Sequence, residues 1–452
     1  MSGADSQGEV KLVESIVPGL GHLRRGFTSA GARYLLFTIF WGLVVVFRGH
    51  AIPELFDPFV WQNGIALLLL IAMPFILIML AHHSLQFLVS PPPRDGLGTW
   101  ALAWRQLRRN PRATWGLAFL ALFYMAAGMA PLLAPYKPVV PGAGGVLVHK
   151  LRAPGTQVML VGHPELGEIA CNDLRVYGDV AVLDRVETRA NKVVWLEDLG
   201  VPPRGWARDA DTVQEATVNG VTFPYRTETY ILGTDALGRD LLSRLLYGSQ
   251  ISLFIGFVAM FVAVTLGILF GSIAGYFGGV LDTIIMRFVD ILLAFPRLLL
   301  LLLIVSVYPG AGIFIVIAIL GATGWMGVSR LVRAEFLRIK ELDYAHAARS
   351  FGFSRSRIMF RHLLPNSIAP IIVNATLLVG NTILVEAALS FLGFGVKPPD
   401  ASWGNIISDG QAFLRDAWWI STIPGLLIVF AVVCFNLVGD ALRDALDPKQ
   451  QA

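Results

Sequence analysis

Long apolar runs alternate with short polar segments along most of the chain. A run of about 20 residues without formal charge can cross a hydrocarbon core of about 30 Å as an α-helix. The first such run is short, and Arg33 and Arg48 would have to extend from its ends toward the membrane surface. The pattern predicts eight transmembrane helices, at residues 34–47, 64–81, 113–136, 245–281, 288–307, 313–329, 363–394 and 417–439.

The region between the third and fourth predicted helices departs from this pattern. Residues 137–244 contain twelve Lys and Arg against fourteen Asp and Glu. Short stretches in which apolar and polar residues alternate are separated there by Gly and Pro, and alternation with a period of two is typical of β-strands. The sequence therefore predicts a small β-rich domain over residues 137–231. A solvated loop without a core is the alternative.

Composition also indicates a membrane protein that crosses the bilayer several times. Hydrophobic residues make up 55% of the chain and charged residues 15%, whereas a soluble domain is nearer half apolar and a quarter charged. The formal net charge of +4 is modest and gives no indication of nucleic-acid binding. Cys171 lies in a polar region and Cys434 in an apolar run, so no disulfide is predicted.

The distribution of basic residues predicts the orientation in the membrane. Lys and Arg concentrate before the first predicted helix, between the second and third, and between the sixth and seventh. By contrast, residues 48–63 include one arginine and residues 308–312 none. Short loops rich in Lys and Arg stay in the cytoplasm, whereas long loops are translocated regardless of charge. Both termini and residues 330–361 are therefore predicted to be cytoplasmic, and residues 137–231 exocytoplasmic.

Motifs of common enzyme sites are absent from the sequence. It contains no GxxxxGK[ST] phosphate loop, no HExxH zinc helix and no GxSxG nucleophile elbow. The eight histidines show no spacing typical of metal ligands. We therefore expect a protein that moves or binds a solute, and uphill movement would need energy from ions or from a partner protein.

The predicted cytoplasmic segment DYAHAARSFGFSRSRIMFRHLLPN, residues 343–366, is basic and rich in helix-forming residues. Gly352 is expected to interrupt its helix. Ser354 can cap a second short helix, which Pro365 is expected to end at the start of the next membrane span. The segment is thus predicted to form two short helices joined at a glycine.

Small residues in the first of these helices suggest a role for the segment. Ala345, Ala347 and Ala348 could form a surface that another protein approaches closely. Such an element could transmit force from a soluble motor protein. A basic amphipathic loop can equally lie on anionic lipid, and the residues alone do not decide between the two roles.

The same segment resembles the Glu-Ala-Ala loop of ABC importer permeases, in which Glu-Ala-Ala, three residues, Gly, nine residues and Ile-x-Leu-Pro follow one another. His346, Ala347 and Ala348 occupy the first three positions, and Gly352 the glycine position. Residues 362–365, His-Leu-Leu-Pro, occupy the last four. Histidines thus replace the Glu and the Ile. The residues that the resemblance assigns to coupling with an ATPase are His346, Ala347, Ala348, Gly352, Leu364 and Pro365.

Four longer segments are similar to the C-type permease of dipeptide, oligopeptide and nickel importers. They are residues 232–253, 274–296, 386–405 and 435–448. The resemblance implies half of a translocation pore in the bacterial cytoplasmic (inner) membrane. It also implies a second permease subunit, two cytoplasmic ATPase subunits and an exocytoplasmic solute-binding protein as partners. ATP would be used by the ATPase subunits, and no cofactor or metal is expected on this chain.

The predicted fold is an all-α polytopic membrane protein of about eight helices, namely a six-helix ABC importer permease core and two N-terminal helices, with a small β-rich exocytoplasmic insert. The predicted domains are an N-terminal extension (1–90), an elbow helix with the first core helix (91–136), the insert (137–231) and the permease core (232–448), with coupling helices at 343–365.

Charged residues near the predicted membrane helices are further candidates. Glu386 is the one charge within the predicted helix 363–394, and an ionised carboxylate there costs about 2.5–3.5 kcal/mol when central. We expect it to line the solute path, with a hydrogen bond to the second permease as the alternative. The segment TDALGRDLLSRLL is predicted to be an interfacial helix, with Arg239 and Arg244 among lipid headgroups or, alternatively, docking the solute-binding protein.

The function that these observations predict is that of a permease subunit of an ATP-driven importer. Peptides are the first candidate for its cargo, and nickel or another small solute the second. An ion-coupled secondary transporter is the alternative from a different class. That alternative predicts an internal repeat with interrupted helices and mid-membrane ionisable groups. The sequence shows no internal repeat, and Glu386 is the one candidate for such a group.

Overall fold

The computed structural model describes residues 39, 106–107, 110–136, 150–163, 167–177, 180–185, 191–195, 213–218, 221–307 and 312–446. This part of the chain is mostly helical and includes one antiparallel sheet. The predicted extension 1–90, with its two predicted helices, lies outside the described residues apart from Ile39.

The elements follow one another in a simple order. The helices are α1 (Pro111–Gly128), α2 (Ala130–Leu133), α3 (Leu241–Phe277), α4 (Gly279–Ala294), α5 (Arg297–Ser306), α6 (Ile313–Ile339), α7 (Asp343–Ser350), α8 (Arg355–Arg357), α9 (Leu364–Phe391), α10 (Trp403–Gly410) and α11 (Trp419–Leu446). The strands are β1 (Thr156–His163), β2 (Gly167–Tyr177), β3 (Val180–Arg185), β4 (Asn191–Trp195), β5 (Val213–Val218) and β6 (Val221–Tyr230). A π-helical turn, Ile358–Leu363, joins α8 to α9, and a 3₁₀ turn, Gln411–Phe413, follows α10.

Four helical segments of the described part are long and apolar enough to cross a membrane. They are α3, α6, the continuous helix Arg355–Phe391 and α11. The pair α4 and α5 would make a fifth span if counted together, although it bends by 88° at its break. The helix predicted at 113–136 is shorter than expected, because α1 ends at Gly128, and it is not among these candidates. A helical membrane core is therefore confirmed, and the total of eight helices stays a prediction.

Helices α3 and α6 form the central packing contact, and glycines on α3 allow it. A Cβ atom added to Gly267, Gly271 or Gly275 would lie 2.5–2.6 Å from an atom of α6. These glycines recur every four residues and so share one face of the helix. Small residues at this spacing let two membrane helices approach closely. The contact fixes the position of α6, which leads directly into α7.

The span predicted at 288–307 is not one continuous helix, because the chain breaks within it. Helix α4 ends at Ala294, and Phe295 adopts an extended conformation (φ −84°, ψ 137°) before Pro296. Proline has no N–H to donate, and its ring disfavours the helical conformation of the residue before it. The new helix α5 begins at Arg297 at a large angle to α4. A count of uncharged residues does not detect such a break.

A six-stranded antiparallel sheet lies between α2 and α3 in the sequence. The strand order is β4-β3-β2-β1-β6-β5, and Met159 of β1 lies opposite Cys171 of β2 and Thr227 of β6. Buried side chains in the sheet include Val158, Leu160, Cys171, Ala181 and Leu183. The placement of this sheet in an exocytoplasmic domain with bounds 137–231 stays a prediction.

The base of the sheet is joined to the helices at Thr234. Its hydroxyl accepts a hydrogen bond from the Arg152 backbone N–H at 2.8 Å, and its own N–H donates to the Arg152 carbonyl at 3.0 Å. The Trp419 indole N–H donates to the Thr234 carbonyl at 3.3 Å. Gly233 has φ +79°, and a Cβ there would lie 2.3 Å from the Arg152 carbonyl oxygen. The segments by which the chain enters and leaves the sheet are therefore joined to each other and, through Thr234, to the start of α11.

Candidate functional site

Helix α7 projects from the end of α6 and packs against it. Ala345 and Ala348 are buried in a cluster that includes Phe336, Ile339 and Leu363. Residues three apart share one face of a helix, and in α7 this face points into the chain. The prediction that these two alanines form a surface for a partner protein is therefore wrong. Ala347 is exposed.

Gly352 ends α7 with a left-handed turn, as expected of a glycine that interrupts a helix. Its φ is +70°, and its N–H donates to the Arg349 carbonyl at 2.9 Å. The flanking Phe351 N–H donates to the Ala347 carbonyl at 2.9 Å and the Phe353 N–H to the Ala348 carbonyl at 3.3 Å. This pattern satisfies the last carbonyl groups of the helix. Glycine is favoured because a side chain is strained at positive φ.

The second helix of the segment does not end at Pro365. It begins at Arg355 and continues through the π-helical turn into α9 without a break. The Leu364 N–H donates to the Met359 carbonyl, five residues earlier. The wider turn leaves room for the proline ring, and a proline is tolerated in the first turn that follows. The expectation that Pro365 ends a separate short helix is therefore wrong.

The outer surface of this segment, which we call the knuckle (residues 343–364), carries exposed aromatic and basic side chains. Phe351, beside the glycine turn, is 77% exposed. Tyr344 and Phe360 are also exposed. The exposed arginines of the knuckle are Arg349, Arg355, Arg357 and Arg361. Exposed aromatic residues next to arginines are typical of protein–protein contact sites.

Stacked side chains connect the two ends of the knuckle and join it to α3. The Phe353 ring stacks on the His362 ring with centroids 5.5 Å apart, and the Arg357 guanidinium lies 4.2 Å from the Phe353 centroid. Arg355 lies 5.8 Å from the centroid of Phe277, at the end of α3. His346, which occupies the family's Glu position, is exposed, with Nε2 3.7 Å from the Glu341 carboxylate.

Ion pairs link α6 to the bent pair α4 and α5 near the knuckle. Arg333 donates from Nε to Asp282 Oδ1 at 2.5 Å and from Nη2 to Oδ2 at 2.6 Å. Arg330 Nη2 lies 2.5 Å from Asp290 Oδ1. The Lys340 ammonium donates to the Gly275 carbonyl of α3 at 3.2 Å. Movement of the knuckle would therefore displace α3 and α4 as well as α6.

Glu386 is fully buried within the described part of the chain. Ser390 donates to Glu386 Oε1 at 2.6 Å, and Ser252 of α3 donates to Oε2 at 3.2 Å. The Ser252 oxygen accepts the Trp403 N–H of α10 at 3.1 Å. The carboxylate thus joins α3, α9 and α10. That it also lines the solute path stays a prediction.

Comparison with known proteins relates this arrangement to a transporter family. The family described as "Binding-protein-dependent transport system inner membrane component" matches residues 267–451, and "N-terminal TM domain of oligopeptide transport permease C" matches residues 98–143. The dipeptide transport system permease protein DppC of Haemophilus influenzae is 46% identical over 222 residues, which cover 49% of this chain and 74% of that protein. The chain belongs to the ABC importer permeases of the dipeptide and oligopeptide type.

Further relatives of this permease belong to the same type. The oligopeptide transport system permease protein OppC of Haemophilus influenzae is 41% identical, covering 49% of this chain and 71% of that protein. DppC of Bacillus subtilis is 43% identical, covering 48% and 68%. Among solved structures, the inward-facing MetNI methionine ABC transporter is similar over 46% of this chain and 98% of that chain, at 20% identity and a TM-score of 0.40.

Family membership fixes the general role of the permease. Permeases of this family are inner-membrane transporter subunits, and ATP hydrolysis belongs to partner ATPases. They work with ATPase subunits and a solute-binding protein. Neither family match extends over residues 144–266, the region that includes the sheet and most of α3.

A buried ionic network at the start of α3 in the permease was missed by sequence reasoning. Asp235 Oδ2 lies 2.6 Å from both Arg239 Nε and Arg244 Nη1. Nη2 of each guanidinium group lies 3.0 Å from Asp409 Oδ2. The prediction of an interfacial helix with Arg239 and Arg244 among headgroups is therefore wrong. The arginines point inward because carboxylates from two distant segments meet there.

The start of α3 is fixed by Asp240. The Ser243 N–H and hydroxyl both donate to Asp240 Oδ2 at 2.7 Å, and Asp240 thereby caps the helix. Burial raises the pKa of the Asp240 carboxyl, while the hydrogen bonds from Ser243 act in the opposite direction. The Tyr136 N–H donates to the Ser243 hydroxyl at 3.0 Å, which ties this cap to the end of α2.

Proposed function

We propose that this chain is one half of the translocation pore of an ATP-driven peptide importer. In this proposal the knuckle contacts a cytoplasmic ATPase, and the chain works with a second permease, two ATPase subunits and an exocytoplasmic solute-binding protein. ATP is bound by the ATPases, and this chain binds no cofactor. Both termini and the knuckle lie on the cytoplasmic side.

The observation that carries the proposal is the exposed Phe351 on the basic knuckle. A large apolar side chain that is 77% exposed loses the benefit of burial unless a partner covers it. Neighbouring arginines provide charge-assisted hydrogen bonds around such an aromatic residue. Of the residues that the resemblance assigns to coupling, His346, Ala347, Gly352 and Pro365 are exposed and Leu364 is half-buried. Ala348 would act indirectly, because it packs α7 onto α6.

The packing beneath the knuckle supports a mechanical role. Helix α7 is fixed to α6 through Ala345 and Ala348, and α6 is fixed to α3 through close glycine contacts. Packed interiors transmit displacement because they resist compression. When ATP binding draws the two ATPases together, α7 would carry α6 with it. Rigid-body movement of the core would then open the pore to one side or the other.

Peptides are the cargo that the relatives favour, since DppC and OppC are named as dipeptide and oligopeptide permeases. Nickel or another small solute is the second candidate, because specificity in such systems rests largely with the separate binding protein. An ion-coupled carrier is the remaining alternative. Ion-coupled carriers also contain interrupted helices, like the break between α4 and α5. The family of the chain nevertheless favours ATP as the energy source.

The sheet is the second part of the proposal. We infer that it lies outside the membrane and docks the solute-binding protein or helps to gate the entrance. Its rigid attachment through Thr234 to Trp419 supports this role, since force on the sheet would reach α11. If deletion of residues 140–225 leaves the assembled complex transporting at the normal rate, this part of the proposal is wrong.

Cross-linking tests the contact at the knuckle. Phe351→Cys, in the complex assembled with its ATPases, should form a thiol cross-link to an ATPase subunit. Phe314→Cys is the matched control, because Phe314 is 78% exposed but lies at the opposite end of α6. We expect Phe351→Ala to reduce uptake at least tenfold, as is typical of a contact worth about 2 kcal/mol, and Phe314→Ala to leave it unchanged.

Transport by the same complex in liposomes tests the energy source and the cargo. Uptake of a labelled dipeptide should require ATP and survive collapse of ion gradients. Uptake that needs an ion gradient but no ATP would favour the ion-coupled alternative. If the complex takes up nickel but no peptide, nickel is the cargo and not peptides. A Phe351 cysteine that reacts only with lipid-soluble reagents, and never with an ATPase, would refute the coupling role of the knuckle.

A further inference from the structure

Arg297 occupies an unusual position at the break between α4 and α5. It is the first residue of α5, directly after Pro296. Its guanidinium lies beside α6, since a Cβ built on Gly324 would be 3.9 Å from Arg297 Nη2. Within the predicted span 313–329, Gly324 is about 17 Å from one end and about 8 Å from the cytoplasmic end, at about 1.5 Å per residue. The guanidinium therefore lies inside the membrane-spanning part of α6, nearer its cytoplasmic end.

The guanidinium has no partner among the described residues for two of its nitrogens. Arg297 Nε and Nη2 are inaccessible to solvent and make no hydrogen bond. A guanidinium is charged at all physiological pH values and carries five N–H donors. Charged groups at this depth are rare, and they pair with one another or face a water-filled path. An unpaired arginine here is therefore a candidate binding group.

The acidic groups of neighbouring helices are already engaged. Asp282 and Asp290, on the same bent pair, bind Arg333 and Arg330. Glu386 is enclosed by serine hydroxyl groups. Of the described acidic residues in this part of the core, none is left to neutralise Arg297. Its anionic partner must come from outside the described part of the chain.

The break itself indicates which side of the chain the partner approaches. Phe295 and Pro296 are exposed, and they carry non-helical backbone at membrane depth. Such backbone is tolerated only where other protein covers it or where it lines a water-filled cavity. Discontinuous helices near the midplane are a common place for transporters to bind their solutes. Lipid phosphates are an unsuitable partner, because Nε and Nη2 are enclosed beside α6 and do not face the lipid.

We propose that Arg297 binds the C-terminal carboxylate of the peptide as it passes through the pore. A carboxylate can accept two parallel hydrogen bonds from a guanidinium, and Nε and Nη2 form one edge of the planar group that offers them. This edge is closed to solvent here, so the contact requires α5 to move away from α6 during transport. Every unmodified linear peptide carries this carboxylate whatever its side chains, so the contact would serve cargo of varied sequence. The inference rests on the proposed function, since it requires peptide cargo.

The test uses the complete transporter in liposomes, with the second permease, the ATPases and the solute-binding protein. Uptake is measured for two peptides of one sequence, with a free or an amidated C-terminus. The ratio of Arg297→Gln to unaltered uptake is taken for each peptide, so that any preference of the binding protein cancels. We expect the ratio to fall about 10- to 100-fold for the free peptide and less than twofold for the amide. Arg287→Gln, an exposed arginine of α4, is the matched control.

A second measurement applies even when the amidated peptide is not carried. Arg297→Cys is prepared with Cys171→Ala and Cys434→Ala, which replace both native cysteines. The new thiol is then modified with a cationic or a neutral reagent of similar size. We expect the cationic adduct to restore uptake of the free peptide and the neutral adduct to leave it low.

Three results would overturn the inference. Unchanged uptake in Arg297→Gln excludes a role in transport. Equal loss for both peptides, with loss of the second permease on co-purification, assigns Arg297 to a salt bridge between permeases. Failure of the cationic adduct to restore uptake excludes the role of charge. Failure of the proposed function is distinguishable, because the unaltered complex would then import neither peptide with ATP.

Discussion

The ion pair between Asp282 and Arg333 offers a direct test of mechanical coupling. It joins the bent pair to α6, the helix that leads into the knuckle, through two hydrogen bonds of 2.5 and 2.6 Å. We predict that Asp282→Asn lowers the number of peptides carried per ATP hydrolysed. Helix α4 would no longer follow α6 when the ATPases move α7, so that ATP hydrolysis would continue with less transport.

The expected size follows from geometry and exposure. Two unit charges about 4 Å apart attract by about 4 kcal/mol at an effective dielectric constant of 20 and by about 1 kcal/mol in water. The side chains of Arg333 and Asp282 are 33% and 16% exposed, so solvent screening and desolvation leave a net contribution of about 1–2 kcal/mol. This corresponds to a factor of about 5–30 in an equilibrium. We expect the ratio of uptake to hydrolysis to fall by a similar factor.

The assay measures peptide uptake and phosphate release in the same liposomes. The charge-swapped pair Asp282→Arg with Arg333→Asp should recover part of the lost ratio. Glu335→Gln is the control, because Glu335 pairs with Arg338 within α6 and links no second helix. If Asp282→Asn keeps the normal ratio, or if the swapped pair does no better than either single variant, the pair does not carry force.

Three further outcomes are expected. Gly271→Leu should destabilise the purified complex by about 1–3 kcal/mol, measured as a lower Tm, because its Cβ would lie 2.6 Å from a backbone oxygen of α6. Gly425→Leu is the control and should leave the Tm unchanged, because Gly425 faces open space. Asp235→Asn should destabilise it by about 3–5 kcal/mol, since two arginines share that carboxylate, while the exposed Asp416→Asn should leave the Tm unchanged. Gly352→Ala should cost about 1–2 kcal/mol locally and lower ATP-coupled uptake, with Gly352→Asn milder, because φ is +70° and no steric clash is present.

The turn in the knuckle could be predicted from sequence because its cause is local. Gly352 follows a short helix, and glycine alone occupies positive φ without strain. The prediction that Pro365 ends a helix is wrong because its outcome is not decided locally. Proline normally ends a helix, yet the preceding π-helical turn accommodates it, and that turn depends on how Ile358 and Leu363 pack beneath α7. Local rules fail where packing from another element decides the backbone.

The network at the start of α3 shows a second limit of sequence reasoning. Arg239 and Arg244 follow the membrane-surface pattern of basic residues beside an apolar run. Their partner Asp409 is 165 or more residues away in the chain, and no periodicity connects them. Once buried together, the carboxylates and guanidinium groups satisfy one another, which makes burial tolerable. Only the folded arrangement of α3 and α10 brings these groups together.

Glu386 and Arg297 illustrate the same limit within the membrane core. In the sequence each is a charge bordered by apolar residues, and both would be assigned to the solute path by one rule. In the fold, Glu386 receives hydrogen bonds from two helices, whereas Arg297 leaves two nitrogens without a partner among the described residues. A satisfied buried group holds helices together, and a passing solute would have to break its bonds to bind. An unsatisfied group gains a bond when the solute arrives, so the arginine is the better candidate for transient contact with cargo.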